Sequence, residues 1–347
     1  AYFPWLRFPL DDRRKTGLLI PEIGSDSRGG LDVQVPLYLN LAPNYDALYA
    51  PRFIQERGTN HEIELRYLDP RIGYWSASGA FLADDDRYSS EVPEDRNHDR
   101  WAVGLQHQAV FRGRWRSRVD YGKVSDVDYL KDLDSSSLNT KRQANLLQLA
   151  SLDYLGDRWL VNMELQQFQP LNDDIVRNNY KKLPQVTAEY RNSLTPFQME
   201  PVATAQYSYF DTDDQRVVGH RVYAEAGLTY PMLWSQGFLR PEVKYRHLQY
   251  DLSDSVIESA DERPSAGTAV VNLDGGLYFE RSTSFAGEGL LQTLEPRLYY
   301  LYADYDDQRS HPDFDTAELT FNYNQLFRDT RFSGRDRLDD ANQLALG

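Results

Sequence analysis

The feature that most constrains this chain is an alternation of apolar and polar residues at a period of two, repeated along most of its length. Leu239, Pro241, Val243 and Tyr245 alternate with Arg240, Glu242, Lys244 and Arg246. Trp159, Val161, Met163 and Leu165 alternate with Leu160, Asn162, Glu164 and Gln166. The same pattern sets Ala269, Val271, Leu273, Leu277 and Phe279 against Asn272, Asp274, Tyr278 and Glu280. It also sets Thr320, Asn322 and Asn324 against Leu319, Phe321 and Tyr323, which predicts a strand over 319–324. A period of two is that of a β-strand with one apolar face. Roughly sixteen such segments can be marked, many near the ~10 residues that a tilted bilayer-crossing strand requires.

Connection lengths decide what kind of sheet this is. The turns at Pro43-Asn44, Asp69-Pro70, Gly113-Arg114, Gly156-Asp157, Ser193-Leu194 and Trp234 to Gly237 are short. Between them lie longer polar stretches: Asp84 to Asp99, Ser125 to Asn145, Gln169 to Pro184, Asp211 to His220, Ser253 to Gly267 and Asp304 to Thr316. Short and long connections that largely alternate predict an up-and-down meander, the pattern of an outer-membrane β-barrel. A soluble sandwich has Greek-key connections without that parity, and no fixed self-similar repeat is present. The fold class expected is therefore all-β, a transmembrane antiparallel β-barrel with apolar residues facing lipid and Arg and Lys facing a wet interior.

Composition agrees and removes other classes. The chain has 347 residues, room for two ordinary domains or one large β structure. Its 24 Tyr, 6 Trp and 15 Phe sit in a chain only 41% apolar, which suits aromatic girdles at strand ends. A net charge of −15 argues against nucleic acid as a partner. No apolar run is long enough for a membrane-spanning helix. Cysteine is absent, so no disulfide or thiolate metal site lies within these residues. The chain begins without Met or a signal peptide, which reads as a processed chain or an excerpt.

Catalytic signals are thin. None of the six histidines, His61, His98, His107, His220, His247 and His311, lies in an HExxH context, and neither a GxSxG nor a glycine-rich phosphate cradle occurs. No enzyme, cofactor or metal is expected. The acidic stretches Asp84-Asp85-Asp86, Asp211 to Asp214, and Asp304 with Asp306-Asp307 lack EF-hand spacing and read as solvated loops. VSDVDYLKDL (Val124 to Leu133) is too apolar for an open loop and is expected to fold over or into a barrel mouth.

Two features of the opening stretch carry the functional expectations. Pro21 interrupts TGLLIPEIG and Pro36 interrupts Leu31 to Leu41. Proline gives no N–H to a ladder, so both strands are weakly stitched or lie at an edge. An ordinary edge proline that discourages mispairing is, from the residues alone, the weightier account. Arg13, Arg14 and Lys15 form the densest basic cluster in an acidic chain. They are candidate phosphate contacts, against the weightier reading of a solvated linker or positive rim.

Four segments in order along the chain, FPWLRFPLDDRRKTGLLIPEIG, VPLYLNLAPNYDALYAPRFIQERG, KVSDVDYLKDL and RFSGRDRLDDANQLALG, resemble the LptD family of outer-membrane proteins that insert lipopolysaccharide into the outer leaflet. The resemblance runs from Phe3 to Gly347. It implies a Gram-negative outer-membrane location and the first part of a very large barrel over 17–347. Residues 1–16 would be the end of a periplasmic jelly-roll, with Asp11 to Thr16 as its hinge. Lipopolysaccharide would be the cargo. The partners implied are a plug lipoprotein, LptE, in the lumen and a periplasmic bridge reaching the jelly-roll. Pro21 and Pro36, with Leu19, Ile20 and Val35 beside them, would form a lateral gate where the first strand meets the last. The alternatives are a diffusion porin or ligand-gated receptor barrel, and, from a third class, a membrane-embedded hydrolase.

Overall fold

A computed structural model describes residues 14–26, 29–91, 98–133, 145–171, 180–192, 198–213, 216–253, 261–285 and 288–347. Arg13, the expected jelly-roll strand, the Ser193-Leu194 turn and the middles of several long connections lie outside the described residues. The chain resolves into two compact units, one of residues 1–152 with 166–177 and one of 153–165 with 178–347.

The first unit opens with β1 (Gly17–Leu18), β2 (Glu22–Asp26), β3 (Gly30–Gln34) and β4 (Leu37–Ala42). It continues with β5 (Tyr45–Ile54), β6 (Gly58–Asp69), β7 (Gly73–Leu82), helix α1 (Asp86–Glu91), β8 (Arg100–Phe111), β9 (Trp115–Val124) and helix α2 (Tyr129–Asp132). From β5 to β9 each strand pairs antiparallel with the next. β10 (Asn145–Leu155) and β11 (Trp159–Pro170) contribute to both units.

The second unit adds β12 (Lys181–Arg191), β13 (Glu200–Asp211), β14 (Val218–Thr229), β15 (Met232–Trp234), β16 (Gly237–Ser253) and β17 (Ser265–Leu277). It ends with β18 (Phe279–Phe285), β19 (Glu288–Leu294), β20 (Arg297–Ala303) and β21 (Ala341–Leu346). β12 to β14 pair in sequence, β16 pairs with β14 and β17, and β20 lies between β17 and β21, all antiparallel. Interrupted strands taken as one each (β1 with β2, β3 with β4, β15 with β14, β18 with β17, β19 with β20) leave sixteen long strands among the described residues.

Side-chain polarity is inverted relative to a water-soluble sheet. In β16, Val243 is 57% and Tyr245 55% exposed, whereas Lys244 and Arg246 between them are buried. In β14, Val222 and Leu228 are exposed and Arg221 and Tyr223 buried; in β6, Ile63 and Leu65 are exposed and Glu62 buried. Water would penalise every exposed apolar row, while lipid requires one. No described helix is long and apolar enough to cross a membrane.

The expected parity of connections has three exceptions among the described strands, the first being the tight β2–β3 hairpin at the long-loop end, where Asp26 lies opposite Gly30. Gln55 to Arg57 makes a short turn at the long-loop end. At the short-turn end, β17 runs on through the two-stranded ladder β18–β19 before returning as β20. The strand expected over 319–324 is absent. That stretch makes one bridge, Glu318 to Phe332, and then a 3-10 turn over Tyr323–Phe327. The Asn322 side chain accepts from the Asn324 N–H there, a local bond that competes with a ladder.

Candidate functional site

The opening strands carry a discontinuity that their prolines require. β1 pairs with β4, as Gly17 opposite Tyr38 and Leu18 opposite Leu37. β2 pairs with β3, from Glu22 opposite Gln34 to Asp26 opposite Gly30. Between these ladders three residues, Leu19, Ile20 and Pro21, face two, Val35 and Pro36, so the register slips by one as in a β-bulge. One backbone bond spans the gap, from the Leu19 N–H to the Pro36 carbonyl at 2.8 Å.

On its other side the second strand is continuous. Gln34 lies opposite Arg52 and Leu37 opposite Tyr49 in one unbroken register on β5, and the Val35 N–H donates to the Pro51 carbonyl at 3.1 Å. The weak line therefore runs between the first and second strands. Among the described strands β1 pairs only with β4 and β2 only with β3, which leaves the outer edge open. Leu18 is 70%, Ile20 78% and Ile23 74% exposed, so the first strand has little packing to hold it. The structure thus brings all five expected gate residues, Leu19, Ile20, Pro21, Val35 and Pro36, to one interruption.

The basic cluster is partly committed. Arg14 is exposed but pairs with Asp46 at 3.3 Å, and Asp46 also takes Arg66 at 2.7 Å and the Tyr38 hydroxyl at 3.0 Å. The Asn40 N–H donates to Thr16 Oγ1, and the Asn40 amide donates to the Arg14 carbonyl. These bonds fix the base of the first strand beside the second.

The buried charges of the polar face are held in Arg-centred clusters that clamp loops onto the sheet. In the first unit Arg100, fully buried, meets Asp126 at 2.7 and 3.0 Å, Asp85 at 3.1 Å and Asp132 at 3.1 Å. Arg57 takes the same Asp85 at 2.8 Å. Asp85, expected in a solvated acidic loop, is instead fully buried between these two guanidiniums. Tyr129, Leu130 and Leu133 of VSDVDYLKDL pack with Ile54, Ala80, Leu82, Ala102, Val124 and Leu146. The segment thus docks on the sheet as its apolar content predicts. Burial, then the Glu62 carboxylate, push the Tyr129 phenol up. Arg52 donates to the Leu133 carbonyl and forks onto Asp32 of β3 at 2.5–3.0 Å, which links α2 to the strand behind the seam.

In the second unit the segment 304–340 is held in the same way. Arg221, 1% exposed, reaches Asp315 and Asp336 at 2.6 Å each, and the Tyr250 hydroxyl donates to Asp336 at 2.9 Å. Asp336 also accepts the Phe314 and Asp315 N–H groups at 2.8 and 2.7 Å. Phe314 stacks on Phe210 at 4.4 Å and meets Tyr180 edge-on. Burial alone would raise the Asp315 carboxyl, but the hydrogen bonds and charge of Arg221 outweigh it and hold it below its usual value. Burial pushes Asp336 up, with Arg221 opposing and the Asp315 charge adding to it. A second cluster joins Arg246 to Glu225 and Asp329 at 2.7 Å each, and Lys244 to Glu242 at 2.9 Å and to Asp329. None of these contacts was legible in the sequence, because the partners lie about eighty to more than a hundred residues apart.

Among the described residues no arrangement for bond-making chemistry stands out. His107 Nε2 lies 2.6 Å from Ser117 Oγ, but its Nδ1 faces the Tyr74 carbonyl rather than a carboxylate. Among the described residues no group of three or more His, Asp or Glu side chains is placed to hold a metal.

Comparison with known proteins settles the family. The model of the family LptD, LPS transport system D, matches residues 98–347. The chain belongs to the LptD family. It is 38% identical over all its length to the LPS-assembly protein LptD of Hahella chejuensis, covering 44% of that protein. It is 36% identical over all its length to the LptD of Pseudomonas aeruginosa (strain UCBPP-PA14), covering 41% of it. The chain therefore spans less than half the length of these relatives. Among solved structures it is similar to OmpT, an outer membrane protein of Vibrio cholerae, at 13% identity and a TM-score of 0.30 over 83% of this chain and 86% of that one. An LptD-family chain with lipid-facing apolar rows is a Gram-negative outer-membrane protein whose strands are those of a transmembrane β-barrel.

Proposed function

We propose that this chain is part of the outer-membrane translocon that inserts lipopolysaccharide into the outer leaflet, and that its first strand, loosely held at the opening seam, forms one side of the lateral gate where the first barrel strand meets the last. The observation that carries the reading is the seam itself: two prolines, a one-residue slip and a single backbone bond between the ladders. A backbone hydrogen bond contributes about 0.5–1.5 kcal/mol net, so a few missing bonds bring separation of the first strand within thermal reach. Acyl chains would leave through the parted strands into lipid while the charged sugar crosses the polar face. Residues 1–16 would join the barrel to a periplasmic jelly-roll fed by a bridge of partner proteins, and a plug lipoprotein, LptE, would fill the lumen. Arg13, Arg14 and Lys15 would stand at the entry as candidate contacts for the lipid's phosphates. Nothing in this reading calls for catalysis or a cofactor, since the driving force would come from elsewhere in the pathway.

The test restores the missing donors. In the complete protein the double variant Pro21→Ala, Pro36→Ala should tighten the seam and slow the appearance of new lipopolysaccharide at the cell surface. Unchanged delivery together with unchanged antibiotic permeability would rule the gate out.

A further inference from the structure

The ladder β18–β19 is not needed to close the wall, yet it grows directly out of it. β17 and β20 pair from Val270 opposite Ala303 to Gly276 opposite Arg297. The Leu277 N–H then donates to the Pro296 carbonyl at 3.0 Å, and pairing resumes at Phe279 opposite Leu294 in the same register. The neighbouring strand β16 begins at Gly237, opposite Leu277. The hairpin therefore reaches seven residue pairs past its neighbour, roughly 23 Å at 3.3 Å per residue.

An unbroken register carries the alternation of faces with it. The lipid-facing row of the wall, Val271 and Leu277 on β17 with Leu298 and Tyr302 on β20, continues as Phe279, Arg281 and Thr283 paired with Leu294, Gln292 and Leu290. Phe279, Leu290 and Leu294 are all about half exposed or more. The opposite face carries Glu280, Ser282, Ser284 and Thr293, with Leu291 its one large apolar residue. A two-stranded hairpin standing alone in water is marginal at best, and an apolar row continuous with a lipid-facing one marks an interaction surface. Arg281 lies between Phe279–Leu294 and Thr283–Leu290 in that row; its Nε donates to Gln292 Oε1 at 2.7 Å, and its stem can cover the apolar side chains while the outer guanidinium nitrogens reach a phosphate. Trp234, exposed at the hairpin's base and paired with Gly237 on the lipid-facing side, supplies an aromatic anchor typical of a membrane interface.

We propose that β18–β19 lies along the phospholipid headgroup layer on the short-turn side of the membrane. The Phe279, Leu290 and Leu294 row faces lipid, Arg281 meets headgroup phosphate, and the Ser-rich face meets water. The proposal stands apart from the cargo of the barrel and does not depend on it.

Spin labels placed singly at Leu290 and Ser282, with Val243 as the lipid reference, test it in the complete protein reconstituted into phosphatidylethanolamine/phosphatidylglycerol vesicles. Access to oxygen relative to a water-soluble nickel chelate should be several-fold higher at Leu290 than at Ser282, approaching the value at Val243. Both hairpin labels open to the aqueous chelate would overturn the proposal in favour of a free hairpin. Both shielded from oxygen and chelate alike would overturn it in favour of a protein partner.

Discussion

Replacing Arg221 with leucine should release the segment 304–340 while leaving the wall intact. Arg221 is the shared partner of Asp315 and Asp336; without it Asp315 would keep Lys182 at 3.4 Å, while the fully buried Asp336 would lose its ion-pair partner. Removing one member of a buried ion pair costs about 3–5 kcal/mol, because the remaining charge is uncompensated. At about 1.4 kcal/mol per tenfold, the opening equilibrium of the segment should rise roughly a hundred- to several-thousand-fold. The β13–β14 and β14–β16 ladders pair residue by residue through position 221 and do not use its side chain, so the loss should be local. Hydrogen exchange in the reconstituted protein reads this directly, as lost protection at the Phe314, Asp315 and Asp336 amides with little change along β16. Adding Asp315→Asn and Asp336→Asn to the variant removes the stranded charge and should restore much of the protection. Protection of these amides within about twofold of the parent in Arg221→Leu would refute the clamp.

Other outcomes follow from the same structure. His311, buried and near Arg337, has its imidazole held below its ordinary value of 6.5, first by burial and then by that charge. Its folded form prefers to stay neutral, so the stability it contributes is complete above about 6.5 and is lost as pH falls through the lowered folded value. Corrected for the slower intrinsic exchange at lower pH, the protection of 304–316 should therefore fall between pH 7 and 5, and His311→Gln should flatten that dependence; an unchanged protection profile would contradict it. Gly73 has φ of +76°, and a Cβ there would lie 2.3 Å from the Gln108 carbonyl oxygen. Gly73→Ala should lower the yield of assembled, heat-modifiable barrel, a destabilisation of about 1–3 kcal/mol from the backbone alone before the clash is added. Arg52→Leu should loosen α2 and β3 together, seen as raised exchange at Leu133 and Gln34. Loss at Leu133 alone would mean that the two are not linked.

What the sequence revealed follows from how far each signal reaches along the chain. Period-two alternation is local, so the wall strands and the polarity of their faces could be read without coordinates. Locality also misled, since Thr320, Asn322 and Asn324 alternate as a strand would but have no ladder to join. The prolines at 21 and 36 were visible. The one-residue slip was not, because it is a relation between two segments rather than a property of either. Asp85 read as one of a solvated acidic run because the guanidiniums that bury it, Arg57 and Arg100, lie 28 and 15 residues away. The run VSDVDYLKDL announced its docking through Tyr129, Leu130 and Leu133, whereas the partners Asp32 and Arg52 gave no sign of it. The extended hairpin β18–β19 was half visible, its alternation reaching Phe279 while the return through Leu294 went unmarked.

The most direct measurement of the central claim is photocrosslinking in living cells, with the probe placed singly at Leu19, Ile20 and Val35 of the complete protein. Val243, on the lipid-facing side of β16, is the comparison. Lipopolysaccharide adducts at the three seam positions well above those at Val243 are the predicted result. Adducts at the seam no stronger than at Val243 would contradict passage through a gate bordered by the loosely held first strand.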